Sequence, residues 1–135
     1  MTTPPVRELR LVVTVPDYNA AVAFYRDVLG MTESAEYVSE DGGRVVILDA
    51  GRATLEIGDE AHARSIDDLE VGRQVAGPIR VALQVDGVDV ATTAALAGGA
   101  QLVAAPVDTP WNSRNARLDA PGPLHLTLFE DRTGD

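Results

Sequence analysis

Four side chains frame the chemistry open to this 135-residue chain: Glu56, His125 and two arginines seventy positions apart, Arg10 and Arg80. A glutamate or a histidine can move a proton as general base or acid. A guanidinium can grip a carboxylate, phosphate, phenolate or enolate with two parallel donors. Composition closes most other routes. Cysteine is absent, which excludes disulfides, thiolate nucleophiles and cysteine-based zinc sites. Lysine is absent as well: all eleven basic residues are arginine, a usage expected of a GC-rich genome, so no Schiff-base lysine exists. His62 and His125 are the two histidines, the side chains that ordinarily titrate near neutrality. A net charge of -10 argues against a nucleic-acid partner. No apolar run is long enough to span a membrane and no signal peptide is evident, so the cytoplasm is the expected compartment.

These residues need a scaffold, and the scaffold reads as an internal repeat. Hydrophobic residues at 45% and charged residues at 24% describe an ordinary folded domain. One β-branched run covers residues 9–15 and ends at Pro16-Asp17; a second covers 79–85 and ends at Asp86. Both read as strands with alternating faces. Leu9, Leu11, Val13 and Val15, and likewise Ile79, Val81, Leu83 and Val85, form apolar faces expected to lie under helices. Each run leads into helical spacing. Asp17 should cap a helix over 18–29 that stops at Gly30, and a second helix should cover 88–97 before Gly98-Gly99. The Phe24-Tyr25 pair is expected to pack that first helix. Three strands should follow each helix: 35–38, 44–49 and 53–57 in the first half, then 101–104, 116–119 and 124–129 in the second. Asp41-Gly42-Gly43 and Ala50-Gly51 supply turns, and Leu48-Asp49-Ala50 recurs as Leu118-Asp119-Ala120 before another glycine turn. The expected architecture is α+β: one domain over 1–135 made of two tandem βαβββ modules, about 6–58 and 78–130. A polar connector, 59–77, joins them, with a short helix around 65–69 capped by Ser65 and with His62 solvated.

A βαβββ module hides one sheet face under its own helix, so two modules can curl their other faces around a shared cleft. The cleft-facing set is then Arg10, Val12, Thr14, Thr54, Glu56, Arg80, Gln84, His125 and Thr127. The plainer alternative is a sheet face open to solvent. Trp111, the only tryptophan, lies in a loop over 108–115 with Asn112, Ser113 and Asn115. Such a group can grip a flat organic ligand, or Trp111 can cap the core or a dimer seam. His125 can transfer protons if it faces the cleft, or can be a hydrogen-bonded structural residue.

The run Val15-Pro16-Asp17-Tyr18-Asn19-Ala20-Ala21-Val22-Ala23-Phe24-Tyr25-Arg26-Asp27-Val28-Leu29-Gly30 resembles the vicinal oxygen chelate superfamily. That group includes glyoxalase I, extradiol dioxygenases, fosfomycin-modifying enzymes and bleomycin-resistance proteins. The stretch from Pro110-Trp111-Asn112-Ser113 through Leu118-Asp119-Ala120-Pro121-Gly122 resembles the last hairpin of the same fold, and the likeness spans about residues 6–130. The resemblance implies four metal-ligand positions in the cleft, from the first and fourth strands of each module. Here they hold Arg10, Glu56, Arg80 and Thr127. Arginine offers no lone pair to a cation, so no metal and no cofactor is expected, even with His125 two residues from Thr127.

Two readings of the charge cluster stay open. Glu56 can bridge the two arginines and hold the modules together, or the arginines can bind an anionic ligand. The first functional expectation is a small-molecule binding protein, for an antibiotic or natural product, that sequesters its ligand without a metal. The acidic surface would suit a cationic drug; the two cleft arginines suit an anionic or quinone-like one. The alternative is a metal-independent lyase or isomerase with Glu56 as base and Arg10 or Arg80 as anion stabiliser. A cleft collapsed without ligand would instead suit a regulatory subunit. The ligand-binding candidates are Arg10, Val12, Thr14, Glu56, Arg80, Gln84, Trp111, Asn112, Asn115, His125 and Thr127; Glu56 and His125 are the catalytic candidates. The resemblance also implies a homodimer.

Overall fold

The computed structural model describes residues 5–120 and 124–133. Eight strands form one curled sheet: β1 (Val6–Thr14), β2 (Thr32–Val38), β3 (Arg44–Ala50), β4 (Ala53–Gly58), β5 (Ile79–Val85), β6 (Gln101–Asp108), β7 (Ser113–Ala120) and β8 (Leu124–Asp131). Their order is β2-β3-β4-β1-β5-β8-β7-β6. Each half repeats the other. β4 runs parallel to β1 and β8 parallel to β5, while the outer pairs are antiparallel hairpins. β1 and β5 pair antiparallel and join the halves. The fold is therefore α+β, two tandem βαβββ units around a concave face. No helix among the described residues is long and apolar enough to cross a membrane.

Among the described residues there are three α-helices, α1 (Tyr18–Val22), α2 (Glu60–Glu70) and α3 (Val88–Ala97). Asp17 caps α1 as its position suggests, its Oδ1 accepting from the Ala20 amide at 3.0 Å. The single helix expected over 18–29 instead widens into a π-helical turn, Ala23–Val28, where the Leu29 amide reaches back five residues to the Phe24 carbonyl. Tyr25 packs against the first core, but Phe24 is half exposed, so the pair is only partly internal.

The connector differs most from expectation. α2 starts five residues before Ser65. Asp59 is its cap, accepting from the His62 amide at 2.8 Å, while the Ser65 hydroxyl donates to Asp41 at 3.1 Å. β2 begins at Thr32 and β6 runs to Asp108, each longer than the alternation indicated. β7 takes in Ser113, Arg114 and Asn115, which were expected in a loop. The glycine turn expected at Pro121-Gly122 lies outside the described residues.

Two apolar clusters sit beneath the convex-face helices. Tyr18 and Val22 of α1 cover Val46, Leu48 and Ile57. Val88 and Ala91 of α3 cover Val85, Ala116, Leu118 and Leu128. The helices cover the flanks, not the centre. Leu9, Leu11 and Ile79, expected under helices, remain 45%, 37% and 52% exposed along the β1–β5 seam.

The turn before β3 packs tightly against the start of α2. A Cβ on buried Gly43 would meet the His62 backbone nitrogen at 2.5 Å and its Cα at 2.7 Å, whereas one on Gly77 would meet nothing within 4 Å. Gly43→Ala is therefore expected to destabilise the protein by about 1–3 kcal/mol, with Gly77→Ala close to neutral, as measured by urea denaturation.

Candidate functional site

The four central strands bring the candidate residues together on the concave face. Arg10 sits beside Thr54 of β4 and Ala82 of β5, and Val12 sits between Glu56 and Arg80. Thr127 of β8 lies beside Ala82. Alternation in every strand points this one set inward. Glu56 bridges the arginines: Oε1 lies 3.7 Å from Arg10 Nη1, and Oε2 lies 3.9 Å from Arg80 Nη2. Arg80 Nη1 donates to Thr127 Oγ1 at 2.7 Å. Burial lowers the Arg80 pKa and the charge of Glu56 works against that shift; the guanidinium stays protonated.

Glu8 and Phe129 complete the cluster and were missed. Arg10 Nε donates to Glu8 Oε2 at 2.7 Å, the Thr54 hydroxyl donates to the same oxygen at 2.8 Å, and the Arg10 guanidinium stacks over Phe129 at 4.9 Å. Both residues lie two positions along a strand from a residue in the expected set, so the same alternation could have found them.

The connector supplies the other half of the site. α2 lies across the concave face and brings acidic residues to Arg117, whose side chain is 0% exposed. Arg117 Nε donates to Glu70 Oε1 at 2.7 Å and Nη1 to Asp67 Oδ1 at 2.9 Å. Asn115 Nδ2 donates to Glu70 Oε2 at 2.7 Å. Asp67 Oδ2 accepts from the amides of Val75 and Ala76, at 2.7 and 2.8 Å, which fixes the return loop. Burial alone would raise the Asp67 pKa; those two amides and Arg117 outweigh it, and the carboxyl is held below its ordinary range. Glu70 and Asp67 stand three apart on one helix face, a spacing that could have marked them.

Beneath α2 is a small chamber lined by Val12, Glu56, His62, Asp67, Arg80 and Arg117, with room for about one water molecule. His62 is not solvated as expected. Its ring is enclosed, and burial, with Arg80 adding, pushes its pKa down against the pull of Glu56. Two buried polar atoms of chamber-lining residues have no partner, His62 Nδ1 and Arg117 Nη2.

The remaining candidates are distributed differently. Thr14 lines the chamber, and Gln84 lies further along the face beside Phe129. His125 is engaged at both nitrogens. Nε2 is 3.1 Å from Arg117 Nη1 and Nδ1 is 3.3 Å from Asp119 Oδ1. Arginine can only donate, so Nε2 is the acceptor and Nδ1 carries the proton. Asn115 is committed to Glu70. Trp111 sits 38% exposed at the tip of the β6–β7 hairpin, and Asn112 beside it adopts a left-handed turn at φ 63 and donates to the Arg132 carbonyl.

The donor set at Arg10, Glu56, Arg80 and Thr127 does not fit a divalent ion. Two guanidiniums already flank the only carboxylate, and one hydroxyl is a poor second ligand. Among the described residues, no group of three or more histidine, aspartate or glutamate side chains is arranged to hold a metal. The charged partners under α2 make a different demand. Arg117→Leu would leave Asp67 and Glu70 buried without their cation, and a loss of about 3–5 kcal/mol is expected in chemical denaturation at neutral pH.

Comparison with solved structures places this arrangement in a known fold. Methylmalonyl-CoA epimerase from Mycobacterium tuberculosis matches with a TM-score of 0.69 at 22% identity, over 97% of this chain and 92% of that one. A hypothetical protein from Bacillus halodurans matches with a TM-score of 0.72 at 13% identity, over 99% of each chain. A Streptomyces coelicolor methylmalonyl-CoA epimerase in complex with 2-nitronate-propionyl-CoA matches with a TM-score of 0.66 at 19% identity, over 98% of this chain and 97% of that one. At such identities the likeness is one of fold. A search of curated proteins found no match to this chain. The family model for the glyoxalase, bleomycin resistance protein and dioxygenase superfamily matches residues 9–134, and the chain belongs to that superfamily.

Proposed function

We propose that the chain binds a small anionic organic molecule on its concave face, with Arg10 and Arg80 as the anion-binding groups. The observation that carries this reading is the looseness of the central bridge. At 3.7 and 3.9 Å, both contacts to Glu56 are longer than the 2.7–2.9 Å of a tight guanidinium–carboxylate pair. Each arginine is anchored elsewhere, by Glu8 and by Thr127, and keeps donor capacity toward the centre. An incoming carboxylate, phenolate or enolate oxygen can compete for that capacity. Val12, Thr14 and Gln84 lie on the same face and supply the walls.

A second reading keeps the same ligand class and adds a proton transfer. Glu56 would take the proton from a carbon beside a carbonyl. The C–H electron pair passes to the carbonyl oxygen, and Arg80 or Arg10 stabilises the resulting enolate. Delivery of a proton to the opposite face of that carbon would complete an isomerisation without a metal, whereas return to the face that lost it gives exchange alone. The central place of Glu56 supports it, as does the fold shared with methylmalonyl-CoA epimerases. Sequestration and isomerisation differ in one observable, carbon–hydrogen exchange.

The test is calorimetric titration with malonate and methylmalonate, followed by incubation of methylmalonyl-CoA in D2O. Arg80→Gln or Arg10→Gln is expected to weaken binding by about tenfold or more, the worth of a charged hydrogen bond. Deuterium uptake at C2 that Glu56→Gln abolishes, with binding retained, selects the proton-transfer reading; binding with no uptake selects sequestration. Binding untouched by both arginine variants overturns the proposal.

The same reading includes a second copy of the chain. The bare β1–β5 seam on the convex face presents Leu9, Leu11 and Ile79, and a two-fold axis through it would bury them against their own counterparts. Sedimentation is expected to show a dimer that Leu11→Glu converts to a monomer. A wild-type monomer at micromolar concentration would overturn this part.

A further inference from the structure

The chamber beside Glu56 and Arg80 has room for about one water molecule. An organic ligand can engage Arg80 there only if its cover moves, and the cover is α2. Little apolar surface holds α2: Ile66 is its one buried apolar side chain. None of the three apolar clusters among the described residues includes a residue of α2. Its buried side chains are Ile66, Asp67 and Glu70, two of them carboxylates on one guanidinium. The attachment is electrostatic and centres on Arg117.

Arg117 itself does not depend on α2 for its place. It stands on β7, beside Thr127, and its Nη1 is bonded to His125 Nε2, which Asp119 orients from the same sheet. Lifting α2 would leave the guanidinium aligned by sheet residues. Thr127 also links it to Arg80, whose Nη1 donates to that hydroxyl. Arg117 carries one buried donor without a partner, Nη2, and it lines the same chamber as Arg80 and Glu56. Such an orphan in an otherwise saturated network is a place for a ligand oxygen.

We propose that Arg117 is a third anion anchor of the concave face, masked by Glu70 and Asp67, so that ligand binding and lifting of α2 are one exchange. A ligand carboxylate takes the position of the Glu70 carboxylate against the guanidinium. Glu70 moves out with α2 and gains hydration. Asp67 leaves on the same helix, so two carboxylates are released, and the incoming ligand carboxylate keeps the guanidinium from being left as an unpaired buried ion. The Asp59 cap and the close contact at Gly43 hold the first turn of α2 and make that end the hinge. The return loop contains Gly72, at φ +87, and Gly77, which give the other end slack.

The inference rests on the anion-binding reading above, and its test separates the two. Malonate is the probe, on the full chain, with amide hydrogen exchange and calorimetry as readouts. Saturating malonate is expected to lower exchange protection of residues 64–76 while the first turn of α2 and the amides of β3 and β8 keep theirs. Glu70→Gln removes the competing charge but keeps an amide that can bond Asn115; it is expected to bind malonate about tenfold more tightly, because the masked fraction falls. Asp67→Asn serves as the second variant and is expected to change affinity in the same direction. Malonate binding with unchanged α2 protection and unchanged affinity in both variants overturns the third anchor and leaves the Arg10–Arg80 reading standing. No malonate binding to wild type or to either variant overturns both.

Discussion

A guanidinium shut away from water must find its partners inside the protein, and Arg117 finds them on the connector. Much of the site follows from that one requirement. Glu70 and Asp67 must face β7, so α2 lies across the concave face and not out in solvent. Asp67 keeps its second oxygen for the amides of Val75 and Ala76, so the same ion network also sets the path of the chain into β5. β5 in turn carries Arg80 to the centre of the sheet. The network contributes geometry more than net stability, since desolvation offsets most of the attraction between buried ions.

At the positions where the superfamily resemblance implies a metal, the central cluster holds charged side chains. Arg10 and Arg80 bring two fixed positive charges to the cleft, and Glu56 lies between them. A divalent ion would offer concentrated charge and open coordination positions. Two guanidiniums offer directed hydrogen bonds on rigid strands, with no exchangeable ligand and no bound water to acidify. Chemistry that needs only an oxygen held and an enolate stabilised is served by either arrangement. Chemistry that needs a metal-bound nucleophile is served by the ion alone.

The fold and the central cluster were legible because they rest on short-range rules. Alternation placed Arg10, Glu56, Arg80 and Thr127 on one face, and the repeated βαβββ plan brought those faces together. The connector was not legible for the opposite reason. Its helix is polar, with Ile66 as its one buried apolar side chain, so periodicity gave a weak signal and its charges read as solvated. What holds it is a pairing between residues about fifty apart in the chain, Asp67 and Arg117. His62 was misjudged along with it, since its burial depends wholly on where α2 lies. The exposed seam escaped for a related reason. Leu9, Leu11 and Ile79 have the right alternation for a helix-covered face, but α1 and α3 each cover a flanking cluster and leave the β1–β5 seam bare.

The duplication makes the departure from symmetry informative. In the first half, Ile47 lies beside Glu56, which lies beside Val12. In the second half, Arg117 lies beside Thr127, which lies beside Ala82. The two series occupy matching places, so Ile47 is the counterpart of Arg117 and Glu56 the counterpart of Thr127. One half therefore carries a carboxylate next to an apolar side chain, and the other a hydroxyl next to a guanidinium. A ligand bound across the pair meets an acceptor or base from one side and a donor from the other. For the anion binding proposed above, such a face would favour one site with a direction over two equivalent sites. The acidic residues of the connector helix pair with Arg117 on the second-half side, while its Asp59 cap meets Arg44 on the first-half side, and together these contacts set the orientation the structure shows.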